Sequence, residues 1–379
     1  MFYTTWCKQN KVYNNIDYLE LIINNEEFST NITTTDLTKQ ITIETEQIPN
    51  FVYNIYNNYK STIIYIGFIM ESFLKNHPDF LEHKENYYRE FRIPKRKGGW
   101  RYLIEPNEEL KALQQELLNF FSKTLHIKPH YTAHAFIEHK DAYTNAEIHK
   151  DSDYVIKFDF SDFFPSITKA LLIDKLHNIS LFWLMGAEFV NNLAEIATYK
   201  NCLPQGSPLS PYLSNIIMTE FDYTIKDNMR LGIIPNYKYT RYADDLTFSA
   251  KTPGKIKELT QSIKNILKNN YYNLIKLNEE KTKILKITNK CYITGVKLNK
   301  DHELTYGHEK KTELKHEICN MLIKFQNNEL TKEEAQSILG KWAYMKRIEP
   351  KYAEYIAQKY LRKFNSRAKT LYQHLKTIL

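Results

Sequence analysis

The chain has 379 residues, enough for two or three domains sharing one continuous core. With 42% hydrophobic and 25% charged residues, and only 10 Gly and 12 Pro, it is neither disordered nor fibrous and leaves little room for long flexible linkers. Its formal net charge of +8 points to a polyanionic partner. The most apolar run, Ile63 to Met70, is far too short to span a bilayer, and Met1 to Asn10 carries no secretory pattern. Four scattered cysteines (Cys7, Cys202, Cys291, Cys319) argue against a disulfide framework and suit a reducing compartment, so a soluble cytoplasmic protein is expected.

Residues 1–85 carry no legible chemistry. Ile32 to Glu46 is Thr-rich with some alternation and predicts one or two strands; Pro49 to Leu74 predicts a helix with Phe51, Ile55, Tyr59 and Ile63 on one stripe. From Tyr88 the pattern sharpens. Phe91 to Pro94 and Trp100 to Ile104 predict strands flanking a basic turn, Lys95-Arg96-Lys97-Gly98-Gly99. Asn107 is placed to cap a helix carrying Leu110, Leu113, Leu117, Phe121 and Leu125 on one face. Tyr154 to Phe160 alternates as a strand, with Ile156, Phe158 and Phe160 on one side and Val155, Lys157 and Asp159 on the other.

Ser210, as cap before Pro211, predicts a helix running through Leu213, Ile216, Ile217 and Phe221. Tyr237 to Tyr242 and Leu246 to Ala250 predict two strands around a tight acidic turn. Gly254 to Asn269 predicts an amphipathic helix, and Lys290 to Leu298 one further strand. The remainder reads as helical: Glu309 to Phe325, a segment opened by the capping box Thr331-Lys332-Glu333-Glu334, and Lys351 onward. Strand, helix, hairpin, helix, strand in mid-chain predicts an α+β sheet with helices on one face and the other free for substrate.

Charge and aromatic content are unevenly spread. His308 to Leu379 holds 15 Lys and Arg against 8 Asp and Glu, nearly the whole excess, and a second basic run is Arg89, Arg92, Lys95, Arg96, Lys97 and Arg101. The 28 Tyr and 20 Phe supply core, and also faces on which unpaired bases can stack.

Joining a hydroxyl to a nucleoside triphosphate passes through a crowded, highly charged phosphorus centre. Two Mg²⁺ ions about 3.5–4 Å apart stabilise attacking and leaving oxygens together. Mg²⁺ takes a few carboxylates plus substrate phosphates, so the signature is two or three Asp on rigid neighbouring strands. Asp159 ends one predicted strand, and Asp244 and Asp245 sit at the tip of the predicted hairpin. Adjacent carboxylates stay ionised most readily with a cation between them. An Asp-rich turn can equally be only a turn; its company decides.

Tyr242-Ala243-Asp244-Asp245 resembles the YxDD box of reverse transcriptases, and further segments follow in that family's order. Phe91 to Lys95, with Gly98, Gly99 and Arg101, resembles the fingers motif that meets the incoming triphosphate. Asp159 to Ile167 resembles the first catalytic box of bacterial members, and Leu203 to Pro208 the box beneath the templating pair. Leu277 to Thr282 is similar to the next palm motif, and Ile293-Thr294-Gly295 to the primer-grip strand.

The resemblance implies an α+β right-hand polymerase fold: an N-terminal extension (1–85), fingers (86–150), a palm with an antiparallel sheet (151–290), then the primer-grip strand and helical thumb (291–379). It implies an RNA-directed DNA polymerase with two Mg²⁺ held by Asp159, Asp244, Asp245 and Phe160. The dNTP would meet Lys95, Arg101, Asp162, Phe163, Phe164, Gln205 and Lys281. Of these, Lys95 and Arg101 would clamp the triphosphate and Phe164 would clash with a 2′-hydroxyl. Gln205 and Gly206 would support the nascent pair, and Lys281 would act as general acid or electrostatic partner of pyrophosphate. Phe163 reads better as core, and Lys281 reads equally as a surface lysine. Trp342, Tyr344, Tyr352, Tyr355 and Tyr360 would help a basic thumb grip the duplex.

Two segments narrow the class. Asn145-Ala146-Glu147-Ile148-His149 is similar to the NAxxH element of retron reverse transcriptases, and Ile293-Thr294-Gly295 to their VTG element with Ile for Val. Asn145, His149, Ile293, Thr294 and Gly295 are therefore expected to serve RNA or primer binding, although helix capping and packing explain Asn145 and His149 as well. The retron resemblance implies a structured non-coding RNA as scaffold and template, priming from one of its 2′-hydroxyls, nascent DNA as product, and antiphage defence with a separate effector. No RNase H, maturase or HNH segment follows the thumb, which is expected to set the chain apart from retroviral and complete group II intron enzymes.

Other readings stay open. The long segment 1–85 allows a defence-associated or abortive-infection reverse transcriptase that makes untemplated or protein-primed DNA, and a nucleic-acid-binding module without catalysis is the reading from another class. His126, His130, His134 and His139 suggest zinc only superficially: Pro129 interrupts the helix that would align the first two, and no Cys lies nearby.

Overall fold

The structure, a computed structural model, describes residues 47–94, 98–288, 291–364 and 370–375. The strands expected within Ile32 to Glu46, and the turn residues Lys95, Arg96 and Lys97, lie outside the described residues. The strands are β1 (Tyr88–Pro94), β2 (Trp100–Pro106), β3 (Tyr154–Ser161), β4 (Lys238–Tyr242), β5 (Asp245–Ala250), β6 (Lys276–Leu277), β7 (Lys283–Lys286), β8 (Cys291–Ile293), β9 (Val296–Leu298) and β10 (Leu304–Thr305). The chain folds into two compact units. One comprises residues up to Phe136 with Phe158–Asn236 and Lys255–Lys281; the other comprises Ile137–Lys157, Tyr237–Gly254 and Thr282 onward.

In the first unit, helix α1 (Gln47–Asn76) covers the expected Pro49 to Leu74 segment, and Ile63, Ile66, Met70 and Phe73 bury one face at helical spacing. β1 and β2 form an antiparallel ribbon in register from Tyr88↔Pro106 to Pro94↔Trp100. Asn107 caps α2 (Glu108–Asn119) as expected, its side chain accepting from Leu110 N at 2.9 Å. The buried stripe Leu110, Leu113, Leu117 continues into Phe121 and Leu125 through a π-helical turn, Phe120–Thr124. Phe121 then packs against Phe182, Phe189 and Tyr212.

Helix α3 (Ser210–Ile217) begins where Ser210-Pro211 predicts a start, but Ser210 is its first residue and Leu209 stands at the cap. The nearby hydroxyl that serves the turn belongs to Ser207, which accepts from Leu209 N at 3.3 Å. The run expected to reach Phe221 is two helices, with Thr219–Arg230 following as the second. Amphipathic α4 (Ile256–Tyr271) buries Leu259, Ile263, Ile266 and Leu267. The last part of β3, Phe158–Ser161, pairs with β6 through Phe160↔Leu277 and Ser161↔Lys276.

In the second unit β4 and β5 form a hairpin, β5 lies beside β3, and β7 pairs with Tyr154–Lys157 of β3. The single strand expected over Lys290 to Leu298 is instead a hairpin, β8 and β9, with Ile293↔Val296 closing it. Its two turn residues, Thr294 (φ 46) and Gly295 (φ 85), both take positive φ, as a tight two-residue turn of this hand requires. β10 completes a three-stranded sheet. Helices α5 (His308–Gln326), α6 (Lys332–Ile348) and α7 (Pro350–Lys363) follow, α6 opening with the expected reciprocal capping box of Thr331 and Glu334. Leu314, Ile318, Leu322, Leu339, Trp342 and Ile356 share a core with Val155, Ile293, Val296 and Leu298.

Candidate active site

β3 is buried on both faces at Val155, Ile156, Phe158 and Phe160, so a carboxylate there needs a partner. Asp159, only 8% exposed, has one: its Oδ1 accepts from Lys281 Nζ at 2.7 Å. Its main-chain carbonyl accepts from Asn278 N, also at 2.7 Å, which seats the 277–282 segment against the end of β3. The Phe160 ring is spent in the core, stacked 5.5 Å from Phe163 and edge-on to Phe221 at 5.7 Å. The strand then ends at Asp162, an exposed residue in the left-handed region (φ 43) that launches the short helix Phe163–Ser166. Phe163 is buried, as its core reading expects, while Phe164 is half-buried with its ring 5.5 Å from that of Phe163.

The Asp pair lies in the second unit. Tyr242 pairs with Asp245 across the β4–β5 ladder, leaving Ala243 and Asp244 as the turn. Ala243 carries φ 56, a conformation costing an L-residue about 1 kcal/mol, and its carbonyl accepts from the fully buried Arg241 guanidinium at 3.4 Å. Asp244 is half-buried and Asp245 exposed. Lys157 of β3 feels this hairpin. Burial pulls its ammonium below the ordinary lysine range, and the Asp245 carboxylate opposes that shift. Arg241 and Lys157 went unread in the sequence, where each passes for an ordinary strand residue.

The expected nucleotide residues of the first unit divide by role. Arg101 is exposed on β2 opposite Ile93. Gln205 is half-buried, and its carbonyl accepts from Ile104 N at 2.9 Å, which ties the 203–208 loop to β2. Gly206 (φ +138) sits so close to that strand that a Cβ would lie 2.7 Å from Ile104 O; only glycine fits. Ser207 donates to the fully buried Gln114 Oε1 at 2.7 Å, and Gln114 Nε2 donates to Ile196 O at 2.8 Å. Gln114 is a further support that helical spacing alone does not reveal. Lys95 lies outside the described residues.

Asn145 and His149, expected to serve RNA or primer, are fully buried. Asn145 Nδ2 donates to Thr294 Oγ1 at 3.2 Å, and the Thr294 hydroxyl donates to Ala142 O at 3.2 Å. His149 uses both ring nitrogens, Nδ1 on Ser249 Oγ and Nε2 on Thr240 Oγ1, each at 2.8 Å. Ile293 is buried, Thr294 half-buried and Gly295 exposed. His130, weighed as a zinc ligand, sits 2.7 Å from Thr132 Oγ1 through Nδ1. Among the described residues, no three His, Cys, Asp or Glu side chains are grouped to hold a metal ion.

Residues 93–313, more than half of the chain, match the family described as reverse transcriptase (RNA-dependent DNA polymerase), and the chain belongs to that family. Its mixed helices and antiparallel sheets are those of the right-hand polymerase fold, and it is an RNA-directed DNA polymerase. Within the family it is of the bacterial retron-like kind. It is 29% identical over 299 residues to the Retron Ec83 reverse transcriptase of Escherichia coli, covering 76% of this chain and 92% of that protein. Identity to the Retron Ec86 reverse transcriptase of the same organism is 31% over 234 residues, with 61% and 69% coverage. The Retron Mx162 reverse transcriptase of Myxococcus xanthus is 36% identical over 196 residues, with 46% and 39% coverage. Among solved structures, a Candida albicans telomerase in complex with a fragment of telomeric RNA matches with a TM-score of 0.42 at 12% identity, over 74% of this chain and 61% of that one. Among the described residues, no helix is long and apolar enough to cross a membrane.

Proposed function

We propose that the chain copies a bound, structured non-coding RNA into DNA by two-metal-ion nucleotidyl transfer, in which Asp159, Asp244 and Asp245 hold the ions together with substrate phosphates and do not form a three-carboxylate cage by themselves. The observation that carries this reading is the state of Asp159: a nearly buried carboxylate that already holds a cation, the Lys281 ammonium, at 2.7 Å. Hard oxygen donors of this kind suit Mg²⁺, which fills its remaining positions with water and substrate phosphates and so needs no all-protein cage. When bound, Mg²⁺ would offset negative charge on the reacting phosphate and ease deprotonation of the entering hydroxyl. With its ring in the core, Phe160 has only its main-chain carbonyl to offer a metal.

In the reaction, the primer hydroxyl gives up its proton to solvent water, its oxygen bonds to the α-phosphorus as the α–β bridging bond breaks, and pyrophosphate leaves with that electron pair. Arg101 and Lys95 neutralise the triphosphate, and Asp162 and Phe163 shape the pocket floor at the end of β3. Phe164 fills the space of a 2′-hydroxyl, and Gln205 supports the new base pair. Lys281 moves from Asp159 toward the departing pyrophosphate and protonates or pairs with it. In the turn Ile293-Thr294-Gly295, the exposed Gly295 meets the primer end. A 2′-hydroxyl of the RNA starts synthesis, giving a branched RNA–DNA, and the product serves antiphage defence with a separate effector.

Purified protein with its co-purifying RNA, Mg²⁺ and labelled dNTPs tests this. DNA branched from an RNA 2′-oxygen should form, and Asp244→Asn with Asp245→Asn should abolish it. Equal product from both proteins would overturn the site. DNA linked to a Tyr side chain, or synthesis indifferent to prior RNase treatment, would overturn the RNA-primed, RNA-templated reading.

A further inference from the structure

We infer that Asn145, His149 and Thr294 are positioning residues, which brace the hairpin of Asp244 and Asp245 and the turn Thr294–Gly295 against one short segment, the helix Ala142–Glu147 and the turn that follows it, and do not contact RNA. The inference rests on the reading of Asp244 and Asp245 as catalytic. All of its parts lie within the second unit.

The first support is burial combined with saturation. A neutral imidazole has one donor and one acceptor, and His149 spends both on hydroxyls that can each donate or accept. The chain of bonds extends further, since Ser249 Oγ also meets Ser152 Oγ at 2.8 Å. Ser152, Thr240 and Ser249 are all buried like His149 itself. Nothing on this ring is left to offer a bound strand.

The second support is where the bonds land. Thr240 belongs to β4 and Ser249 to β5, so one ring spans both strands of the hairpin. The register Tyr242↔Asp245, Thr240↔Thr247, Lys238↔Ser249 puts Thr240 and Ser249 on the same face of the ladder as Asp245. A backbone ladder alone leaves twist and height adjustable; a ring bonded across it from a third element fixes both.

The third support is strain. Thr294 is β-branched yet holds φ 46, a conformation such residues rarely adopt. Its hydroxyl is the link that holds it there, accepting from Asn145 and donating to Ala142 O. Asn145 Oδ1 is buried without a hydrogen-bond partner, a cost accepted at the side chain that pins this turn. One short segment therefore grips the primer-side turn with Asn145 and the Asp hairpin with His149. Displacement of a reacting group by about 1 Å costs up to about 100-fold in rate, so such a brace is a rate device.

The test uses the full chain with its RNA. Thr240→Val and Thr294→Val remove one hydroxyl each at nearly constant shape, and Thr240→Ser and Thr294→Ser restore it; His149→Leu removes the ring's bonds. Four readouts are needed: kcat per titrated active site at saturating RNA, half-saturating Mg²⁺, Mn²⁺ binding by water-proton relaxation, and RNA Kd without metal. The Val and Leu variants should lose about 10- to 100-fold in kcat, bind Mn²⁺ more weakly and keep their RNA Kd within about twofold, while both Ser variants stay near wild type. Weakened RNA Kd with unchanged kcat would make these RNA contacts and overturn the inference. So would unchanged kcat and Mn²⁺ binding per active site, even in a variant that melts earlier. Absence of DNA synthesis by the wild-type chain, or its persistence in Asp244→Asn, would instead fail the catalytic reading beneath it.

Discussion

Lys281 Nζ donates to Asp159 Oδ1 across 2.7 Å, placing a mobile cation on the carboxylate expected to hold a fixed one. The two side chains differ in exposure, 60% for Lys281 and 12% for Asp159, so the lysine can leave while the aspartate stays. A metal entering this site must displace the ammonium. A pair with one exposed partner is worth up to about 1 kcal/mol, which corresponds to at most about a fivefold penalty on metal affinity. Lys281→Met should therefore lower the half-saturating Mg²⁺ by up to about fivefold while slowing extension, because the group that meets pyrophosphate is gone. Metal titration of extension rates checks both, and an unchanged Mg²⁺ requirement would show that the pair does not compete with metal.

Phe164 is half-buried beside the buried Phe163, so packing restrains its ring while part of it stays exposed. A ring fixed in this way rejects added bulk sterically. Phe164→Ala should raise the relative kcat/KM for ribonucleotides over deoxyribonucleotides by about tenfold or more, with a smaller loss for deoxyribonucleotides. Single-nucleotide incorporation with paired UTP and dTTP measures the ratio. An unmoved ratio would assign Phe164 to packing only.

The residue pattern exposed most of the strands and the amphipathic helices because their periods are unambiguous, as in α2 and α4. It was silent on the short helices Lys169–His177, Ser180–Met185 and Ala187–Ala197. Leu171, Leu172, Leu176, Leu181 and Phe182 are buried in the first two, which at 9 and 6 residues are too short to show a period, whereas Ala187–Ala197 buries Val190, Leu193, Ala194 and Ile196 opposite Glu188 and Asn191, a pattern that was there to read. At the site, motif residues such as Asp159 were visible as types in order, but their supports were not. Gln114 reaches Ser207 across 93 positions and His149 reaches Ser249 across 100, so no local spacing could have paired them. The turn at Thr294-Gly295 was missed because a β-branched residue ordinarily argues for continued strand.

Gly206 offers a local test of how tightly the 203–208 loop is held. Any side chain there meets Ile104 O at 2.7 Å and must also adopt φ +138. Gly206→Ala should cost about 1–3 kcal/mol of stability through strain and displaced backbone. The carbonyl of Gln205, bonded to Ile104 N, should move with it, raising KM for dNTPs more than it lowers RNA affinity. Denaturant midpoints with steady-state kinetics check both. Wild-type stability in this variant would mean that β2 and the loop can part without cost.

Glu195 is one carboxylate through which the first unit responds to acid. Its carboxylate receives Lys169 Nζ at 2.7 Å and Lys84 Nζ at 3.0 Å, and Lys84 also donates to the Glu195 and Thr198 carbonyls. Burial by itself would raise the carboxyl's pKa, but the hydrogen bonds from Lys169 and Lys84 outweigh burial and hold it below the usual carboxylate value of 4.5. The folded form therefore keeps its charge at pH values where the unfolded chain has begun to take up a proton. The stabilisation is complete above pH 4.5 and is lost as pH falls through the lower folded value. Glu195→Gln should cost about 1–3 kcal/mol near neutral pH, because two partly buried ammonium groups lose their counterion. That difference between variant and wild type should shrink steadily below pH 4.5 in urea titrations. A gap that stays constant down to pH 3 would mean that the carboxylate's charge contributes nothing and that Glu195 acts only through its shape.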